Sequence, residues 1–113
     1  MINYNNLIFT PVSDTDKGEM SSQTTFHYRQ KKNILRATYS GGEIIQGTLI
    51  GLVDSKGYLE FRYNYINKNN QIRSGKCHST PEILADGRIK LHEKWIWSNG
   101  GESQGESIVE GSL

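Results

Sequence analysis

The sequence predicts an all-β fold: a single antiparallel up-and-down β-barrel of about eight strands, in one domain over residues 1–113. Three observations support this fold class. Short stretches that alternate apolar and polar residues recur about every 10–14 residues. Glycine- and asparagine-rich turn signals separate them, and no long window has the i, i+3, i+4, i+7 spacing of an amphipathic helix. A sheet of this size removes its unpaired edges most simply by closing into a barrel.

Composition narrows the class of protein. A chain of 113 residues suits one domain, and its eleven aromatic residues (Tyr 6, Phe 3, Trp 2) supply much of the area needed for a core. The formal net charge of +1 gives no basic surplus for non-specific nucleic-acid binding. The single cysteine excludes an internal disulfide framework and any multi-cysteine metal site.

The first half of the chain contains four predicted strands. NLIFTPV opens the set and is expected to end near Pro11, and the polar segment SDTDKGEMSS after it is typical of a loop that crosses a barrel mouth. TTFHYRQKK, ILRATYS and EIIQGTLIGLVD follow, and Gly47 and Gly51 in the last of these are interpreted as sites of strand curvature. The predicted inward residues of these three strands are Phe26, Tyr28, Gln30, Leu35, Ala37, Tyr39, Ile45, Leu49 and Val53.

The second half contains the remaining predicted strands, YLEFRYNYI, QIRSGKCHS, RIKLHEKWIW and GESIVEG. Between the second and third of these, TPEILADG could hold one short helical turn with Thr80 as its N-cap, or a loop. In RIKLHEKWIW, one face carries Arg, Lys and His side chains and the other faces inward. The predicted inward residues of the first and third of these strands are Leu59, Phe61, Tyr63, Tyr65, Ile89, Leu91, Glu93, Trp95 and Trp97.

Glu93 is the residue that raises a functional question, because a carboxylate within an apolar row must find a partner or stay protonated. Arg36 is the candidate buried charge partner, whereas Arg62 falls on the opposite face from the inward residues of its strand. Two interpretations remain open. Glu93 is either the polar anchor of a ligand cavity or a structural carboxylate inside a filled barrel. In the first case, the candidate ligand-binding residues are Tyr39, Tyr63, Glu93, Trp95 and Trp97.

Catalytic and metal motifs are not recognisable in the sequence. Cys77 and His78 are adjacent in a predicted strand and should point to opposite faces, so they cannot form a thiolate–imidazole pair. The acidic segments DTDKGE and ESQGE do not have the ligand spacing of a calcium loop, and we expect no metal and no cofactor. If the protein is an enzyme, Glu93 is its candidate general acid or base, since an apolar site would raise the pKa of the carboxyl group.

Three segments, ATYSGGEIIQGTLIG, LEFRYNYIN and GRIKLHEKWIW, together resemble a family of small bacterial proteins over about residues 24–110. Members are often labelled N-acetylglutamate synthase, and the resemblance implies a calycin-type barrel similar in shape to the lipocalins. It implies an acetyltransferase activity as a further alternative, with no catalytic residues to carry across. The matching positions are Tyr39, Gly41, Gly42, Gly47, Gly51, Phe61, Tyr63, Gly75, Cys77, Glu93, Trp95 and Trp97.

The function expected from these observations is the binding of a small, partly apolar molecule inside the barrel, without catalysis. The alternatives are a filled barrel that acts through its surface in interaction or assembly, and the small enzyme described above. The N-terminal stretch MINYNNLIFTPVSD has no signal-peptide pattern, and we expect a cytoplasmic protein of bacterial type with no membrane or nucleic-acid partner, either monomeric or homodimeric.

Overall fold

The computed structural model describes residues 2–14, 19–98 and 103–111. Within these ranges the chain forms eight β-strands and no helix, so no helical segment there could cross a membrane. The strands are β1 (Ile8–Asp14), β2 (Thr25–Lys31), β3 (Ile34–Gly41), β4 (Ile44–Val53), β5 (Leu59–Asn67), β6 (Ile72–Ile83), β7 (Ile89–Trp97) and β8 (Gln104–Gly111).

The strands form one closed antiparallel barrel in which each strand pairs with its neighbours in sequence and β8 returns to pair with β1. At the closing seam, Phe9 lies opposite Gly111 and Pro11 lies opposite Val109. The predicted fold class is therefore confirmed. Closure explains how a sheet of short strands leaves no long edge exposed to other chains.

The alternating pattern places the aromatic and aliphatic side chains inside, as predicted for β2, β3 and β5. The exception is β4, where Ile45 was predicted to face inward. Ile45 is 52% exposed, whereas Ile44 is 2% exposed and belongs to the core. The β4–β5 register shifts between Ile44 and Gln46, so a β-bulge reverses the alternation at the start of the strand.

Two other boundaries differ from the prediction. Strand β1 continues through Pro11 to Asp14, with its register to β8 shifted between Pro11 and Ser13. Strand β6 continues through Pro81 to Ile83, so the TPEILADG segment is strand followed by turn and holds no helical turn. The turn itself is closed by Gly87 N, which donates to Leu84 O at 2.9 Å.

One end of the barrel is closed by the chain that precedes β1. Tyr4 is fully buried there, packs against Phe9 and Tyr28, and donates its hydroxyl hydrogen to Gly57 O. Ile2 lies directly against Gly57, in the turn between β4 and β5. We call this end, with Tyr4 as its plug, the closed end. The opposite end, where the β3–β4 and β5–β6 turns lie, is called the cavity end.

Candidate functional site: a cavity within the barrel

An interior cavity of about 50 Å³ extends towards the cavity end of the barrel. Its volume is smaller than the roughly 300–1,000 Å³ of pockets that enclose drug-sized ligands. It exceeds the ~10–15 Å³ that one water molecule requires. Aromatic side chains therefore fill most of the interior, and the remaining space suits a small chemical group. The described lining residues are Glu19, Met20, Phe26, Tyr39, Ile44, Leu49, Phe61, Tyr63, Tyr65, Cys77, Glu93, Trp95, Trp97 and Ser107.

The candidate ligand-binding residues predicted from the sequence all line this one cavity: Tyr39, Tyr63, Glu93, Trp95 and Trp97. They come from three strands, β3, β5 and β7, that are distant in the sequence. Their convergence follows from strand alternation, because each occupies an inward position of its strand.

Glycines opposite the large rings shape the aromatic wall. Gly47 pairs with Tyr39 across β3 and β4, and a Cβ at position 47 would collide with the Tyr39 ring. Gly75 lies between Tyr63 and Trp97 in register, and a Cβ there would meet the Tyr63 hydroxyl. These glycines serve the close approach of aromatic rings, beyond the curvature predicted from the sequence. Each of these large rings therefore lies opposite a glycine, and such pairing of large with small residues is common inside small barrels.

Stacked rings give the wall its rigidity. Trp95 and Trp97 lie with ring centroids 6.0 Å apart and planes inclined by 28°, along one face of β7. Tyr63 and Tyr65 are stacked on β5 with centroids 6.3 Å apart. The Tyr39 hydroxyl donates to Asn64 O at 3.0 Å. Such rings have few rotatable bonds, so the cavity wall is largely pre-formed for an apolar group.

Glu93 is a buried polar group of the cavity wall, and its carboxylate bridges the two strands next to β7. Ser79 on β6 and Ser107 on β8 are its direct cross-strand partners. Ser79 Oγ donates to Glu93 Oε2 and Ser107 Oγ donates to Glu93 Oε1, each at 3.1 Å. All three residues are buried. Two hydroxyl donors partly compensate the carboxylate for the water it lost on folding.

Arg36 is not the buried charge partner of Glu93, and that prediction was wrong. Arg36 is exposed on the outer face of β3, because Leu35 and Ala37 on either side of it occupy the inward positions. Arg62 is likewise exposed and lies 3.6 Å from Glu60, as its position on the opposite face of β5 predicted. Small hydroxyl side chains replace the expected guanidinium.

The mouth of the cavity is formed by the segment that leads into β2. Glu19 accepts a hydrogen bond from the Tyr65 hydroxyl at 2.7 Å and another from Asn67 Nδ2 at 2.9 Å. Arg73 Nε lies 3.7 Å from Glu19 Oε1. These contacts hold Glu19 and its neighbour Met20 against the end of the barrel, in the polar segment that was predicted to cross a barrel mouth.

Burial has a strong effect on the ionisable groups around Glu93. Desolvation raises the pKa of the Tyr39 hydroxyl well above its ordinary value, and nearby Tyr63 and Glu93 raise it further. Desolvation and the charge of Glu93 also raise the pKa of the Cys77 thiol, although a hydrogen bond with Ser79 works against this. Both groups are therefore held neutral, and Cys77 lacks the thiolate character of a nucleophile.

Cys77 and His78 lie on opposite faces of β6, as predicted: Cys77 is buried and free, and His78 is exposed. His92, on the outer face of β7, contacts Glu82 at 2.8 Å between Nε2 and Oε1. The described part of the chain holds no group of three or more His, Cys, Asp or Glu side chains placed to bind a metal ion.

Sequence reasoning missed the serine partners of Glu93 and the residues at the cavity mouth. Ser79 and Ser107 had a usable signal, since each lies two residues from an inward residue, Cys77 or Val109, and so on the same strand face. Glu19 and Met20 had none, because they lie in a loop whose position depends on contacts with β5 and β6. Loop residues of this kind cannot be placed by strand periodicity.

A closed antiparallel barrel with an aromatic interior cavity defines the class of small β-barrels that hold, at most, one small ligand. Residues 2–112 match the family model described as avidin-like protein. The chain belongs to the avidin-like family. This match supports the calycin-like fold implied by the sequence resemblance and gives no support to the N-acetylglutamate synthase label. No curated protein matches the chain.

Proposed function

We propose that this protein is a non-catalytic binding module that takes a small, partly apolar ligand group into the barrel interior. The observation that carries the proposal is the convergence of Tyr39, Tyr63, Glu93, Trp95 and Trp97 on one cavity. Apolar walls with a few polar groups are typical of small-molecule sites. Membership of the avidin-like family supports the same function.

The size of the cavity limits how much of a ligand the barrel can enclose. A volume of about 50 Å³ accommodates the head of a ligand, and the rest of the molecule would extend past Trp97 to the mouth. A ligand as large as biotin, the partner of streptavidin, would require the side chains to move. We also propose a cytoplasmic location, with which the free and buried thiol of Cys77 is compatible.

The competing function is that of a filled barrel that acts through its surface. The observation in its favour is the same small volume, since most of the interior is occupied by aromatic side chains. Exposed aliphatic residues on the outer wall of β3 and β4 would then be the functional surface: Ile34, Ile50 and Leu52 are 49%, 61% and 55% exposed.

Native mass spectrometry of the purified protein, before and after denaturation, tests for a co-purifying ligand. Tryptophan fluorescence then follows titration with small apolar amines, alcohols and acids, with biotin included. We expect binding that quenches or shifts the emission, and Trp97→Leu should weaken it at least about tenfold, because Trp97 lines the cavity.

The matched control is Ile96→Ala, at the adjacent outward position of β7, which should leave the affinity unchanged. If no molecule co-purifies and no probe binds, the filled barrel is the better account. If a ligand binds equally well to the wild-type protein and to Trp97→Leu, it does not bind in this cavity.

A further inference from the structure

The described lining of the cavity contains acidic side chains and no basic ones. Glu93 lies deep in the wall and Glu19 lies at the mouth, and both belong to the cavity lining. No lysine, arginine or histidine is among the described lining residues. Arg73 approaches Glu19 from outside the lining, at 3.7 Å between Nε and Oε1. Within the described lining, a ligand group that enters therefore meets carboxyl groups and aromatic rings, while Arg73 contacts two of the lining residues, Glu19 and Trp97.

The aromatic wall is also suited to positive charge. The faces of Trp and Tyr rings carry negative electrostatic potential and attract ammonium and guanidinium groups, most strongly where water is excluded. The protein already makes one such contact, because the Arg73 guanidinium carbon lies 4.7 Å from the centroid of a Trp97 ring. Trp95, Tyr39 and Tyr63 extend the same surface into the cavity.

We propose that the cavity selects small organic cations, namely primary or methylated ammonium groups on a short apolar body. This inference rests on the proposed function and names its ligand class. The ammonium group would lie among Trp95, Trp97 and Tyr63, in the electrostatic field of Glu93 and Glu19. The short apolar body would contact the aromatic wall and Met20 near the mouth.

Size and charge both favour this class over the alternatives. An ammonium head is compact enough for a cavity of about 50 Å³. An anion would have to shed water next to two carboxylates, which opposes its binding. A neutral group of the same shape would bury the same apolar area but would gain little from the carboxylates or the ring faces.

Pairs of probes that differ only in charge test the proposal. Choline is compared with its neutral isostere 3,3-dimethyl-1-butanol, and n-butylammonium is compared with 1-butanol and butyrate. Titrations are followed by tryptophan fluorescence and by isothermal titration calorimetry on the full chain. We expect each cation to bind at least about tenfold more tightly than its neutral counterpart, and butyrate to bind most weakly.

Glu19→Gln tests the origin of the selectivity. The amide keeps the size of the side chain and removes its charge at the mouth, so the cation-to-neutral affinity ratio should fall at least about threefold. The control is Glu43→Gln, at an exposed position beside the β3–β4 turn at the same end, which should leave the ratio unchanged. Glu93→Gln should lower the ratio further, provided that its circular dichroism matches that of the wild-type protein.

The outcomes separate this inference from the function on which it rests. If neutral isosteres bind as tightly as the cations, or if Glu19→Gln and Glu93→Gln both leave the ratio unchanged, cation selectivity is overturned and a ligand-binding cavity remains. If none of the probes binds and nothing co-purifies with the protein, the ligand-binding function fails, and the cation proposal fails with it.

Discussion

Gly47 shows how a single missing side chain positions a cavity residue. The Tyr39 ring occupies the space that a Cβ at position 47 would need. We expect Gly47→Ala to lower the free energy of unfolding by about 1–3 kcal/mol, because overpacking displaces the ring. Urea denaturation followed by tryptophan fluorescence measures the change. Gln46→Ala, at the neighbouring outward position, should stay within about 0.5 kcal/mol of the wild-type protein. Equal stability of the two variants would show that Tyr39 moves away without cost.

Glu93 is held by two serine hydroxyls, and this arrangement is specific to a carboxylate that accepts at both oxygens. Glu93→Gln replaces one acceptor with a donor, so one serine must reorient or lose its partner. The expected loss is about 1–3 kcal/mol in the free energy of unfolding, measured by urea denaturation. Glu106→Gln, at an exposed position of β8, is the matched control and should be nearly neutral. If Glu93→Gln leaves the free energy of unfolding unchanged, the hydrogen bonds of the two serines do not require a charged acceptor.

The site could be predicted from the sequence wherever a residue's role depends only on the face of its strand. Trp95 and Trp97 were placed correctly for this reason, since both follow the alternation of β7. The hydrogen-bond partners of Glu93 could not be predicted from the strand face on which a residue lies. They depend on which residues of β6 and β8 lie in register with Glu93, and register is set by turns and bulges.

The number and order of the strands were predictable from the sequence, whereas two strand ends and one register were not. The extra residue between Ile44 and Gln46 changes which isoleucine enters the core, and a continuous apolar pair gives no signal of such a bulge. The first strand was expected to end near Pro11, and the segment that contains Pro81 was expected to be a helical turn or a loop, but both prolines lie within strands. Proline is tolerated where the ladder is irregular or where its nitrogen is not required as a donor.

The segment before β1 acts as the plug of the closed end, and Tyr4 carries most of that role. Removing its side chain in Tyr4→Ala should cost about 3–5 kcal/mol, because a fully buried ring is replaced by a cavity beside Phe9 and Tyr28. Thermal unfolding followed by circular dichroism provides the measurement. Tyr4→Phe keeps the ring and loses only the hydrogen bond to Gly57, so its expected cost is about 1 kcal/mol. Similar losses in both variants would assign the role to the hydroxyl and not to the ring.

The buried neutral hydroxyl and thiol groups predict that the barrel loses stability in alkali. Burial raises the pKa of Tyr28 and Tyr39 above the ordinary 10.0, and that of Cys77 above the ordinary 9.0. Below about pH 8 these groups are almost entirely neutral in both states, and they contribute little pH dependence. As the pH rises further, the unfolded chain ionises first. The free energy of unfolding should then fall by up to about 1.4 kcal/mol per pH unit for each group.

Urea denaturation at pH 7, 9, 10 and 11 measures this dependence. Tyr39→Phe removes one of the titrating groups and should make the decline above pH 10 shallower, although it also loses the hydrogen bond to Asn64. Gln46→Ala, at an exposed position and without loss of an ionisable group, should leave the slope unchanged. A stability that stays constant from pH 9 to pH 11 would contradict the burial of these hydroxyl groups.

The pairing of β1 with β8 also affects the order in which the barrel can fold. The other strand pairings join neighbours in sequence and can form as hairpins, whereas this one brings Phe9 beside Gly111. Contacts of such sequence separation are slow to form, because most of the chain must be ordered before they are made. During synthesis on the ribosome, β1 therefore cannot complete its pairing until β8 has emerged. Until then β1 and β7 each lack one neighbour, so this interval is when the chain is most exposed to self-association.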